Sequence, residues 1–284
     1  MAIEHISDTA RWVAVYRAME TARPDAIFRD PYAARLAGER GTAIVDAMPH
    51  GRAMAWAMIV RTAVFDEIIL DAVRRRGVDL VLNLAAGLDA RPWRLPLPPA
   101  LRWVDVDLPE ILRYKTETLA GERPACAYEA APADLRDAAA RQALFARVGA
   151  AASRALVVTE GLLIYLTAEQ VGALARDLHA QPSFRWWLID LAHPQLLVMV
   201  QRMWGRSVER GDAPFRFAPA EGTAFFAPFG WREVEFRSAM EEAHRLRREM
   251  RMMWFWRFRM RFYPRRRREI ARRFSGIVLL ERMA

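Results

Sequence analysis

Apolar positions along the chain change their period near residue 78, and the change divides the sequence. Over 7–38 they recur at helical spacing (Ala10, Val13, Ala14, Met19) behind a Ser7/Asp8 capping signal, with a break at Arg23-Pro24-Asp25. Over 52–76 a longer helix gathers Met54, Met58, Val64, Phe65, Ile68, Ile69 and Ala72 on one face and stops at Arg74-Arg75-Arg76-Gly77. The pattern then turns continuous. Residues 79–85 form a short apolar run of the kind buried in a parallel sheet, leading into Ala86-Gly87-Leu88-Asp89. Runs at 101–106, 155–159, 184–191, 231–236 and 276–281 read as further strands, and Ala133-Asp134-Leu135-Arg136 closes a segment in the place of the third. Helical stretches at 109–119, 137–148 and 168–179 lie between them. Such alternation predicts an α/β fold with a parallel sheet covered on both faces.

Length and composition narrow this picture. A chain of 284 residues, 53% apolar and 27% charged, fits one globular domain and excludes a disordered or fibrous protein. The expected division is a helical preface over 1–77, a sheet core over 78–238 and 274–284, and a helical insertion over 239–273. No apolar run approaches the ~20 residues that span a bilayer. Residues 1–5 carry no basic stretch followed by an apolar block, so a cytoplasmic protein is expected. The lone Cys126 and five scattered histidines predict no metal site. The net charge of +9 is local: thirteen arginines against Glu249 and Glu269 over 245–273 leave the rest of the chain near −2. No nucleic-acid partner is expected from so confined a charge.

In an open parallel sheet the ligand lies beyond the carboxyl ends of the strands, so the residues there carry the chemistry. Gly87 follows the first strand, where a missing side chain lets backbone approach a ligand. Asp107 stands twenty residues on, at the end of the second, where an acid accepts bonds from ribose hydroxyls. Asp134 ends the third, in reach of an adenine amino group, and Thr159-Glu160-Gly161 ends the fourth. The same residues also suit an ordinary turn glycine and loop acids. The G-x-G-x-x-G that cradles a pyrophosphate is missing, which disfavours a nicotinamide-dependent reductase and favours an adenosyl ligand without phosphates, such as S-adenosylmethionine.

Five stretches, in order, resemble the leucine carboxyl methyltransferase family, and within it the bacterial branch of polyketide carboxyl O-methyltransferases. They are Arg23-Pro-Asp-Ala-Ile-Phe-Arg-Asp-Pro-Tyr-Ala33; Arg61-Thr62 with Phe65-Asp66; Asn83-Leu-Ala-Ala-Gly-Leu-Asp-Ala-Arg-Pro-Trp-Arg-Leu95; Val104-Asp-Val-Asp-Leu-Pro-Glu110; and Thr159-Glu-Gly-Leu-Leu-Ile-Tyr-Leu166. The resemblance implies a Rossmann-like class I methyltransferase: a seven-stranded, mostly parallel sheet with an antiparallel last strand, a helical preface and a helical lid. It implies that Gly87, Asp107, Asp134, Leu135 and Glu160 line the S-adenosylmethionine site and that Arg61 binds the methionine carboxylate. Two features depart from the family pattern. Ala85-Ala86-Gly87 stands where many members have Gly-Ala-Gly, and Arg11 or Arg17 replaces a lysine of the N-terminal helix, since Lys115 is the only lysine.

Methyl transfer to a carboxylate needs alignment and dryness rather than a base. The expected substrate is therefore a small hydrophobic carboxylate, with a phenol or alcohol as the alternative acceptor. That alternative needs a base, and His193 is the candidate; Tyr165 is the candidate for touching the acceptor or packing in the core. Over 252–263 Trp254, Phe255 and Phe258 alternate with arginines at 257, 259 and 261, and 265, 266, 267 and 268 follow. The preferred reading is a helix whose aromatic face closes over the substrate. Contact of 252–273 with an anionic membrane surface comes second and nucleic acid third. A non-catalytic binding protein on a methyltransferase core is the remaining alternative, against which Asp107 and Glu160 speak.

Overall fold

The computed structural model describes residues 7–209, 214–250 and 253–284. Helices α1 (Ser7–Thr21), α2 (Ala33–Ala47) and α3 (Ala55–Arg75) precede the sheet. There follow β1 (Leu80–Leu84), α4 (Arg91–Arg94), β2 (Arg102–Asp107), α5 (Pro109–Thr118), β3 (Ala127–Pro132), α6 (Ala138–Ala150) and β4 (Ala155–Thr159). The chain continues through α7 (Ala168–His179), β5 (Phe184–Ala192), α8 (Pro194–Glu209), β6 (Trp231–Ser238), α9 (Ala239–Arg245), α10 (Met253–Met260), α11 (Arg265–Arg272) and β7 (Ser275–Arg282). The seven strands form one sheet in the order β3-β2-β1-β4-β5-β7-β6, with only β7 antiparallel to its neighbours. This is the sheet that the alternation of elements and the resemblance predict.

Every residue of β1 and β4 is buried, which is why they read as unbroken apolar runs. Period two still sorts their side chains. Leu80, Leu82 and Leu84 join Val104, Val157 and Ile189 in the core on one face, while Val81 joins Trp103, Leu156 and Leu188 on the other. Local signals set the helix ends. The Asp137 carboxylate accepts from the amides of Ala139 and Ala140 to start α6, and Thr167 with Gln170 closes a reciprocal capping box on α7.

The structure adds two details to the preface. The Asp8 carboxylate accepts from Nε and Nη2 of Arg40 of α2, each at 2.7 Å, which makes an ion pair between the helices; residues 1–6 and the Ser7 side chain lie outside the described residues. The chain over 52–76 begins with a 3-10 turn, Arg52–Met54, before α3. Val64, Phe65, Ile68, Ile69 and Ala72 are buried as the apolar face predicts. Met54 and Met58 are half-buried, because they face a cavity rather than the sheet.

The insertion departs most from expectation. Met252 and the side chains of Trp256 and Arg257 lie outside the described residues. The described remainder holds three short helices, α9, α10 and α11, and rings of the α10 region point outward: Trp254 is 63% exposed, Phe258 53% and Phe262 74%. Among the described residues of 239–273, Ala239, Met240, Met250 and Met253 reach the cavity, and none of the exposed rings of α10 does. The aromatic face does not close over the substrate space, because α1, α8 and residues 214–217 already cover it.

Candidate functional site

The carboxyl ends of β1, β2, β4 and β5 open into a cavity of about 1150 Å³. At its first edge the backbone doubles back through Ala85 (φ 53°) and Gly87 (φ 50°). The glycine serves a purpose the sequence did not disclose: a Cβ at position 87 would lie 2.9 Å from the Ala10 Cβ of α1. Close approach of a helix, together with left-handed backbone, excludes a side chain there. Ala85 holds the same left-handed conformation with a Cβ, at a steric cost of about 1–2 kcal/mol that a glycine avoids.

Asp107 fixes this turn. Its two carboxylate oxygens accept from the Gly87 amide at 2.6 Å and from the Leu108 amide at 2.7 Å. Burial pushes its pKa up, against the pull of those two amides and of Lys115. Both oxygens retain lone pairs, and Asp107 lines the cavity. Across the cavity, Arg61 of α3 donates from Nε to Glu160 at 3.0 Å and from Nη1 to Asp190 at 3.2 Å. Its Nη2 makes no hydrogen bond among the described residues, although Arg61 lines the cavity. Asp190 also accepts from the Gly161 amide at 2.7 Å, which ties the ends of β4 and β5 together.

Glu160 is held twice, by Arg61 and by Arg91 Nη1 at 2.7 Å. Burial drives its pKa up, but Arg91 and Arg61 outweigh that and leave it lowered. Arg91 and Arg94 both bond Asp66, and Arg91 also bonds Asp89. Beneath them, Lys115 and Asp105 are fully buried and 2.5 Å apart, with Asn83 donating to both Asp89 and Asp105. The motif residues 83–95 and 105 thus form one buried charge lattice under the rim. Charges buried this deeply persist only when paired and hydrogen-bonded.

Arg61, Gly87, Asp107, Asp134, Leu135 and Glu160 all line this one cavity, and Tyr165 with them. The exposed Arg136 bonds Asp134 and lowers its pKa, and the Leu135 carbonyl accepts from Arg141 Nη1 at 2.7 Å. Tyr165 stacks on Phe215 with ring centroids 5.5 Å apart. Burial lifts its pKa to about 12, and its hydroxyl bonds Thr9. His193 is not brought in. Its ring stacks on Phe274, its Nδ1 accepts from the Gln195 amide that opens α8, and it does not line the cavity. Arg17 lines the cavity, whereas Arg11 lies over the Tyr114 ring; Arg17 is held by Asp30 and by the Leu88 carbonyl. Sequence reasoning missed Asp190, which lies near the carboxyl end of β5, two residues before its last, Ala192. It also missed the far wall, Leu196, Met199, Val200 and Met203, whose i, i+3, i+4, i+7 spacing on α8 was there to be read.

A sequence profile of the family described as leucine carboxyl methyltransferase matches residues 10–179. A Mycobacterium avium protein named "Putative S-adenosyl-L-methionine-dependent methyltransferase" is 39% identical over 183 residues, 58% of this chain and 58% of that protein. One of the same name from Mycolicibacterium paratuberculosis is 38% identical over 263 residues, covering 81% of this chain and 80% of its own length. The chain thus spans about six-tenths of the first of these relatives and four-fifths of the second. Among solved structures, a DUF574 family protein from Streptomyces avermitilis superposes with a TM-score of 0.59 at 15% identity, over 95% of this chain and 96% of its own. A protein from Thermobifida fusca, titled as a methyltransferase in putative terms, gives 0.59 at 16% identity over 94% and 97%. These two establish a shared fold.

Proposed function

Because the chain belongs to the leucine carboxyl methyltransferase family, we propose that it transfers the methyl group of S-adenosylmethionine to the carboxylate of a small hydrophobic acid. The rim residues fit that cofactor. Asp107 keeps free lone pairs for two ribose hydroxyls, Arg61 keeps Nη2 for an α-carboxylate, and Leu135 and Asp134 offer an apolar and an acidic neighbour to an adenine. When bound, the sulfonium supplies an activated methyl group. The protein's share is to bind, orient and keep dry: Glu160 and Asp190 hold Arg61 in place, and Met54, Met199, Met203, Phe215 and Phe217 wall the remaining volume.

The observation that supports the carboxylate acceptor is that the strand-end carboxylates Glu160 and Asp190 are held by Arg61 rather than left free to take a proton. No histidine lines the cavity among the described residues. The tyrosines Tyr16 and Tyr165 line it with pKa values lifted by burial to about 12. Among the carboxylates that line the cavity, Glu160 and Asp190 are committed to Arg61 and Asp134 to Arg136, so an acceptor that arrives ionised, as a carboxylic acid does at neutral pH, asks least of this site. Aromatic and aliphatic acids incubated with S-adenosylmethionine should yield methyl esters, at rates nearly flat between roughly pH 6 and 9 and little changed by His193→Ala. Preferential methylation of matched phenols, with a rate that climbs with pH and disappears in His193→Ala, contradicts the carboxylate reading.

A further inference from the structure

Outside the cavity the most unusual surface is the one formed by α10 and α11. Trp254, Phe255, Phe258 and Phe262 are 63, 40, 53 and 74% exposed. Residues 254, 255 and 258 lie within about 100° of one another around α10, and Phe262 follows in the turn just past its last residue, Met260. The four rings form two packed pairs, Phe258 with Phe262 edge to face at 5.4 Å and Trp254 with Phe255 at 6.0 Å. On the opposite side of α10, Met253 is buried and lines the cavity. A contiguous run of large exposed rings marks an interaction surface.

The charge beside these rings says what covers them. Arg265, Arg266, Arg268 and Arg272 line a depression of about 590 Å³ together with Glu241 and Glu269. Arg272 and Arg273 pair with Glu241, Glu269 and Glu233. No carboxylate pairs with Arg261, Arg265, Arg266, Arg267 or Arg268 among the described residues. The excess of positive charge over the whole chain is confined to residues 245–273, which include α10 and α11, since the remainder is near −2. We propose that α10 and α11 dock this protein on an anionic lipid surface. The exposed rings sit at the boundary of headgroups and acyl chains, and the guanidinium groups take up lipid phosphates. No helix among the described residues is long and apolar enough to cross a membrane, so the contact is peripheral. A duplex nucleic-acid surface fits less well, because its bases are stacked inside and its phosphates leave four exposed rings uncovered, and the positive excess does not extend beyond residues 245–273.

Sedimentation with vesicles tests this on the whole chain. Wild type should bind phosphatidylcholine vesicles containing phosphatidylglycerol, bind phosphatidylcholine alone at least about tenfold more weakly, and release as salt rises. Trp254→Ala with Phe258→Ala, and separately Arg265→Gln with Arg266→Gln and Arg268→Gln, should each weaken binding by about tenfold or more, while thermal melting and affinity for S-adenosylhomocysteine stay unchanged. Three results overturn the proposal: no binding to the anionic vesicles at low salt, binding that both variants retain, or a wild-type dimer in solution that the ring variant abolishes. Tighter binding of duplex DNA than of vesicles, lost in the arginine variant, also overturns it and makes this a nucleic-acid surface.

Discussion

Arg91 and Arg268 are the same side chain in opposite circumstances. The guanidinium of Arg91 is buried and bonded to Asp66, Asp89 and Glu160, each within 2.8 Å. Arg268 stands in solvent without a carboxylate partner among the described residues. At the rim the desolvation of each charge is offset by several partners held at fixed distances, so the ions shape the backbone that surrounds the cavity. On α11 the charges keep their hydration and stabilise little of the fold, which leaves them available to something outside it. One composition, rich in arginine throughout, thus supplies a rigid lattice in one region and a binding surface in the other.

The sharpest way to break the comparison is to remove one partner from each region. Lys115→Met leaves the fully buried Asp105 without its cation, and urea unfolding should show a loss of about 3–5 kcal/mol. Arg268→Gln should change stability by less than about 0.5 kcal/mol. Equal effects from the two substitutions would mean that the lattice beneath the rim is not what stiffens it.

Acid gives the next largest effect. Burial pushes the Asp89 pKa up, but Arg91, Arg94, Lys115 and Arg17 outweigh it and bring the value down to about 2. A folded-state pKa below the unfolded one means that the stabilisation is complete above the unfolded value, near 3.8, and drains away as pH falls toward 2. For Asp89 this is about 2 kcal/mol, and Glu160, also lowered, adds to it with the same sign. Asp107, raised by burial, works in the opposite direction, its contribution being lost as pH rises through its folded value. Melting temperature should accordingly fall steeply from pH 4 downward in the wild type and less steeply in Asp89→Asn. Parallel curves would remove Asp89 from the lattice.

The smallest effect concerns the strained turn. Ala85→Gly relieves left-handed backbone at φ 53° but loosens the unfolded chain, so the net gain should be under about 1 kcal/mol and positive. A loss of stability would show that the Ala85 methyl packs more than it strains.

Much of this architecture could be read from the chain. Strands buried on both faces leave apolar runs, and strand-end acids sit at positions that any ligand in a parallel sheet must meet. What escaped the sequence was of two kinds. Partners distant along the chain, such as Arg61 with Asp190, leave no local period, so the sequence does not mark Asp190 as part of the rim. Orientation escaped as well. Alternating aromatic and arginine residues in 252–263 are compatible with a ring face turned inward or outward, and only the packing of α1 and α8 over the cavity shows that the inside is already occupied.

The central claim, that the strand-end rim holds an adenosyl group through Asp107, is tested most directly by calorimetric titration of S-adenosylhomocysteine and of NADH into the wild type and a folded Asp107→Ala variant. The account predicts that the wild type binds S-adenosylhomocysteine and not NADH, and that the variant binds it about tenfold to a hundredfold more weakly as charged hydrogen bonds are lost. Unchanged affinity in the variant, or binding of NADH in preference to S-adenosylhomocysteine, would contradict it.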